Sequence, residues 1–164
     1  KSEYAFSKLV SEINLRQKYN IDFCNVTILR FGIIYGSRSS GSAVEHIFSK
    51  IFNNETLSIS SRETGRCFIY IDDIIDGIVH SIGINKFQII NIAGNRIYTL
   101  GEIIEATQEL LGCNNEVKIS DPESIDVRKV SINKATDILK WEPKINIDMG
   151  ITKLYEYHKN LKTQ

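Results

Sequence analysis

The stretch Val26-Thr27-Ile28-Leu29-Arg30-Phe31-Gly32-Ile33-Ile34-Tyr35 decides how this 164-residue chain is read. It is apolar and β-branched, with little alternation. Such a run fits a strand covered on both faces, as in a parallel sheet. Before it, residues 3–19 carry Phe6, Leu9, Val10 and Ile13 at helical spacing. After it, residues 42–53 repeat that spacing with Val44, Ile47, Phe48 and Ile51. Residues 57–60, 67–71, 87–92 and 127–132 read as further strands.

Three more helices are marked by their ends. Asp73 is placed to cap a helix carrying Ile74, Ile75, Ile78, Val79 and Ile82. Thr99 and Glu102 form a capping box for a helix that stops at Gly112. Asp148 is placed to cap the last helix, and Asn133 a short one ending near Pro143. The pattern is mixed α/β. It holds too few strong strands to flank 26–35, so part of that sheet is expected to come from sequence outside these residues.

Composition narrows the partners. The formal net charge is +0, which gives no broad basic surface for nucleic acid or an anionic membrane. No apolar run approaches the ~18 residues of a membrane span, and residues 1–8 lack the apolar stretch of a signal peptide. Cys24, Cys67 and Cys113 are widely spaced and sit near no His pair, so neither metal nor disulfide is expected and the reduced cytoplasm is the default.

Tyr4 and Lys8 stand one helical turn apart on a shared face. A nearby ammonium stabilises a phenolate, and a phenolate can take a proton from a hydroxyl. The spacing alone is unspecific, because Tyr155 and Lys159 repeat it. Either pair, taken alone, reads as a solvated helix face.

The surrounding motifs separate the pairs. Tyr4-Ala5-Phe6-Ser7-Lys8 resembles the catalytic YxxxK of the extended short-chain dehydrogenase/reductase family, whose members include nucleotide-sugar epimerases, dehydratases and decarboxylases. Residues 29–36 resemble its LRxxNVYG strand, and residues 66–73 its RDFIYVDD segment. Asn91-Ile92-Ala93-Gly94 with Tyr98-Thr99-Leu100 resembles its NIGxG…SL turn. Asp126-Val127-Arg128 through Pro143 resembles its DVRR…LGWxP ending. Five motifs in order select Tyr4 over Tyr155.

The resemblance implies the C-terminal part of a Rossmann-type protein. Residues 1–36 would be the last catalytic helix and following strand of an incomplete parallel sheet. Residues 37–164 would be mainly a small mixed α/β nucleotide-sugar-binding lobe, with strand 87–92 returning to the sheet. It implies NAD as cofactor, bound here by Tyr4, Lys8 and Phe31. The glycine-rich GxxGxxG loop that holds the dinucleotide pyrophosphate is not among these residues. It implies a nucleotide-diphosphate sugar as partner, met by Ile33, Ser42, Ala43, Arg66, Tyr70, Asp126 and Arg128. Tyr4 and Lys8 would be catalytic, and the implied assembly is a homodimer or higher homo-oligomer. The implied reaction is epimerisation, dehydration or decarboxylation through transient oxidation of a sugar hydroxyl. A vestigial, non-catalytic nucleotide-sugar-binding fragment is the alternative.

Each residue also has a plainer reading. Arg66 could pair with Glu63, Ser42 could simply cap a helix, and Asp126 and Arg128 could form a surface ion pair. Tyr70 could be packing with its hydroxyl satisfied, and Phe31 and Ile33 could be core. Ile33, Cys67 and Glu123 depart from the family's usual Asn, Asp and Arg. The changes at 33 and 123 remove diphosphate donors and count against a standard UDP-hexose.

Overall fold

The computed structural model describes residues 2–22, 24–38 and 41–161. Helix α1 (Glu3–Asp22) leads into strand β1 (Val26–Phe31), which continues after Gly32 as β2 (Ile33–Tyr35). The decisive apolar stretch is thus two strands. β1 pairs in parallel with β6 (Phe87–Ile92), from Val26 opposite Phe87 to Phe31 opposite Ile92. β2 pairs in parallel with β5 (Phe68–Tyr70).

The change of partner occurs at Gly32, whose N–H donates to the Ile92 carbonyl at 2.9 Å. A Cβ there would lie 2.8 Å from both the Ala93 Cβ and the Cys67 carbonyl oxygen. Gly94 faces the same crossing, and a Cβ on it would stand 2.1 Å from the Phe68 carbonyl oxygen. The three segments meet only because two of them lack side chains.

Beyond the crossing, α2 (Ala43–Phe52), α4 (Leu100–Leu111) and α5 (Ile147–Leu161) pack together. Their core includes Phe48, Ile103, Ile104 and Leu154, with Tyr35 and Phe68 contributed by β2 and β5. Short strands frame this lobe. β3 (Leu57–Ile59) pairs with β8 (Val117–Ile119), and β4 (Gly65–Arg66) lies between β7 (Tyr98–Thr99) and β9 (Val127–Arg128). A second core joins β6 to α3 (Ile71–His80) through Ile74, Ile90, Ile92 and Trp141. A π-helical turn, Ala135–Leu139, completes it.

Several sequence expectations need correction. The run 67–71 is a three-residue strand, and only Val127–Arg128 of 127–132 is strand. β1 is not covered on both faces. Among the described residues its only strand partner is β6, and Phe31 is 44% exposed. Asp73 does not cap α3, because Tyr70 holds that position. The Asp73 carboxylate, 3% exposed, instead accepts the N–H groups of Lys144 at 3.1 Å and Ile145 at 2.9 Å. Asp148 lies inside α5, and Asn146 Oδ1 accepts from Met149 N at 2.9 Å in its stead. The Thr99–Glu102 capping box and the left-handed Gly112, at φ 62°, stand as read. No helix among the described residues is long and apolar enough to cross a membrane.

The crossing predicts a sharp contrast. Gly94→Ala should cost about 2–3 kcal/mol or more, because the backbone at Phe68 cannot yield to an added methyl. Gly41→Ala, with nothing within 4 Å of the new Cβ, should leave the urea midpoint unchanged. Equal midpoints for the two variants would refute this account of the fork.

Candidate active site

Helix α1 is oriented by charge and by aromatic contact. The Arg16 guanidinium lies 4.0 Å from the Phe87 ring centre, and the Tyr19 ring packs against the same ring, tilted by 54° at 5.7 Å. Phe87 opens β6, opposite the first residue of β1. Near the other end of β1, Arg30 makes a two-point ion pair with Glu12, at 2.8 and 2.5 Å. The helix therefore runs antiparallel to the strand. At 1.5 Å per residue, Lys8 and Tyr4 sit roughly 6 and 12 Å farther along, past the carboxyl end of β1. Ligands of open α/β sheets bind at that end.

Tyr4, Lys8 and Glu12 follow one another at four-residue spacing, so the stripe that faces Arg30 leads to the phenol. The Lys8 ammonium is 5.3 Å from the Tyr4 ring centre. Tyr4 is 71% exposed, and Phe31 and Ile33 are exposed too. These two are an open wall and not core. Tyr155, the other tyrosine of the repeated spacing, packs edge-on against Phe52 at 6.2 Å on the margin of the lobe core.

The loop that follows β2 is held by a carboxylate absent from the sequence reading. Buried Glu45 accepts the Gly36 N–H at 2.8 Å and the Ser42 N–H at 2.9 Å, and it also takes the Ser42 hydroxyl. The Ser42-to-Glu45 spacing is the capping-box signal that could have revealed it. Both Ser42 donors thus face Glu45, while Ala43 opens α2 beside it. Tyr70 is buried, with its hydroxyl 2.9 Å from Ser37 Oγ and its ring edge-on to Tyr35 at 5.3 Å. Gly36, Ser37, Arg38, Tyr70 and Asp72 line a cleft of about 420 Å³ at the ends of β2 and β5.

On the neighbouring sheet, Arg66 meets Asp126 and not Glu63. Its Nη2 is 2.5 Å from Asp126 Oδ2, and its Nη1 donates to the Gly65 and Asp126 carbonyls. Arg128 grips the same carboxylate, from Nε at 3.1 Å and Nη2 at 2.9 Å. The Arg128 hydrogen bonds, with those of Arg66, hold the Asp126 carboxyl below the usual carboxylate range. The three form one cluster across β4 and β9.

Comparison with known proteins extends this geometry. The family model described as NAD dependent epimerase/dehydratase family matches residues 1–93. UDP-glucuronic acid decarboxylase 3 of Arabidopsis thaliana is 28% identical over 95% of this chain and 47% of its own length. UDP-glucuronate 4-epimerase of Thermodesulfobacterium geofontis is 27% identical over 96% of this chain and 50% of its own. The solved UDP-glucuronic acid 4-epimerase from Bacillus cereus, in complex with UDP-glucuronic acid and NAD, superposes with a TM-score of 0.84 at 26% identity. That match covers 98% of this chain and 53% of the other. The fold is likewise that of the UDP-glucose 4-epimerase of Thermotoga maritima, with a TM-score of 0.88. The chain spans about half the length of the curated relatives it matches.

The ion pair that sets α1 has a pH signature. Its hydrogen bond from Arg30 lowers the Glu12 pKa in the folded chain. A lowered carboxylate pKa contributes stability above the unfolded value, ~4.3, that is lost as pH falls through the folded one. Amide exchange in residues 3–12 should therefore accelerate below about pH 4 after correction for intrinsic rates. Glu12→Gln should show the faster exchange already at neutral pH. If the variant protects α1 as well as the parent does, the pair does not anchor the helix.

Proposed function

The chain belongs to the NAD dependent epimerase/dehydratase family, and from that premise we propose that it is the sugar-nucleotide-binding, C-terminal half of a UDP-sugar epimerase or decarboxylase. The observation that carries the reading is the stripe Tyr4–Lys8–Glu12, fixed by Arg30 so that phenol and ammonium stand past the carboxyl end of β1. The open wall of Phe31 and Ile33 supports the same reading.

In this proposal Tyr4 takes the proton of a sugar hydroxyl and later returns it. The Lys8 ammonium stabilises the phenolate and hydrogen-bonds the cofactor ribose. NAD, when bound, supplies the hydride acceptor. Phe31 borders its nicotinamide end. The residues present fit that end alone, since no GxxGxxG loop occurs among the 164. Turnover therefore belongs to a polypeptide in which a dinucleotide-binding half complements this one. These residues by themselves bind the sugar nucleotide without converting it.

Arg66 and Arg128 meet the diphosphate, because guanidinium forks suit phosphate oxygens. Asp126 lies near the nucleotide ribose, Ser42 and Ala43 frame the base, and Ile33 and Tyr70 border the sugar. Phe6, Leu9 and Ile13 are exposed along α1 and support self-association into a dimer or higher oligomer.

The test uses a protein that carries both halves. Tyr4→Phe should lower turnover of UDP-glucuronic acid about 100-fold or more while leaving its binding intact. Undiminished turnover would remove Tyr4 from the chemistry.

A further inference from the structure

Glu45 is 6% exposed, and the chemistry proposed for the site makes no use of it. Burying a carboxylate is costly unless donors surround it. Its Oε2 takes the Ser42 N–H at 2.9 Å and the Ser42 hydroxyl. The bond from the Ser42 N–H is the capping-box contact that starts α2. Oε1 reaches outside that box. It takes the Gly36 N–H at 2.8 Å, nine residues back, just after β2. One carboxylate thus holds both ends of the segment from Gly36 to Ser42. A helix start needs no such reach, because the box is complete without it.

The two ends belong to different parts of the proposed site. Gly36, Ser37 and Arg38 line the cleft with Tyr70, and Ser37 Oγ lies 2.9 Å from the Tyr70 hydroxyl. Gly36 is also wedged against α3, where a Cβ on it would stand 2.6 Å from Ile71 Cγ2. Ser42, at the other end, caps α2 beside Ala43. In the reading above, Tyr70 borders the sugar, and Ser42 and Ala43 frame the base.

We infer that Glu45 is a positioning residue, a two-armed brace that sets the distance between the sugar side of the site and its base side. The inference rests on the sugar-nucleotide reading above. Glu45 itself touches no substrate. It acts through Gly36 and Ser42, so a ligand that spans both ends does not have to order the segment on binding. The charge suits the place. A carboxylate in the first turn of a helix is favoured by the helix dipole, and a carboxylate acceptor makes the stronger kind of hydrogen bond.

The test separates brace from cap. Glu45→Gln keeps the size of the side chain and the capping box, which glutamine also forms. It offers one oxygen to two backbone N–H groups, so its amide nitrogen faces the Gly36 N–H. Calorimetry measures binding of UDP-glucuronic acid and of UDP to the 164-residue chain. Circular dichroism confirms folding, and amide exchange follows Gly36 and His46, whose N–H donates to the Ser42 carbonyl in the first turn of α2. Glu45→Gln should weaken UDP-glucuronic acid about tenfold, the scale of one hydrogen bond to a charged group. UDP has no sugar to place in the cleft and should bind as it does to the parent. The Gly36 amide should exchange faster while His46 stays protected. Equal weakening of both ligands would mark a purely structural residue and overturn the inference. Undiminished binding of UDP-glucuronic acid, or unchanged exchange at Gly36, would overturn it as well. A folded parent that binds neither ligand overturns the sugar-nucleotide reading itself, and the brace with it.

Discussion

The close approach of three backbones at Gly32, Ala93–Gly94 and Cys67–Phe68 is the constraint on which the rest of the molecule depends. One apolar strand enters that point beside β6 and leaves it beside β5. The sheet side and the lobe side therefore share a continuous backbone and have separate cores. Residues 65–73 then serve both. Gly65 and Arg66 pair outward with β7 and β9, Phe68 to Tyr70 pair inward with β2, and Asp73 draws in the segment before α5. The candidate diphosphate residue Arg66 immediately precedes Cys67, at the crossing itself. Its location is thus set by backbone packing and not by a flexible loop.

What could be read in advance divides by the range of the interaction. The helices over 43–52 and 100–111 are marked by their own residues, through periodicity, Glu102 reaching back to Thr99, and a left-handed Gly112. Those forces act within a turn or two of chain. Asp73 was misplaced because its partners, Lys144 and Ile145, lie 71 and 72 residues away. Strands of two or three residues, such as Tyr98–Thr99 and Val117–Ile119, exist because a neighbour pairs with them, and no local pattern marks them. The break at Gly32 was hidden for the same reason. Its cause is the proximity of Ala93 and Cys67, which the linear sequence does not show.

The site divides in the same way. The four-residue spacing of Tyr4 and Lys8 is local, but Tyr155 and Lys159 share it, so spacing alone could not choose. Resemblance to a family chose in advance, and packing gives a physical ground for the same choice. Tyr155 rests against Phe52, whereas the stripe through Tyr4 is tied to β1 by Glu12 and Arg30. The sequence offers Arg66 two readings, a phosphate contact or an ion pair with Glu63 or another surface acid, and in the fold it does pair with an acid. The partner is Asp126, 60 residues on, brought beside it by the parallel pairing of β4 and β9. Glu45 is encoded locally by its spacing from Ser42, but its hold on the Gly36 N–H, nine residues back, depends on how the loop folds.

The exposure of Tyr4 bears on what the chemistry proposed for it requires. An ammonium near a phenol attracts the phenolate weakly in water, and the same pair interacts several times more strongly once the effective dielectric falls. Proton transfer from a sugar hydroxyl also needs the oxygen held at hydrogen-bond distance and shielded from competing water. A phenol 71% open to solvent, beside an uncovered Phe31 and Ile33, satisfies neither condition by itself. The same side chains are uncovered where β1 has no second strand partner among the described residues. A layer that completed the sheet at that edge would cover the wall and dry the Tyr4–Lys8 pair in one step. The exposed apolar side chains of Phe31 and Ile33 and the reactivity proposed for Tyr4 would then depend on the same covering layer.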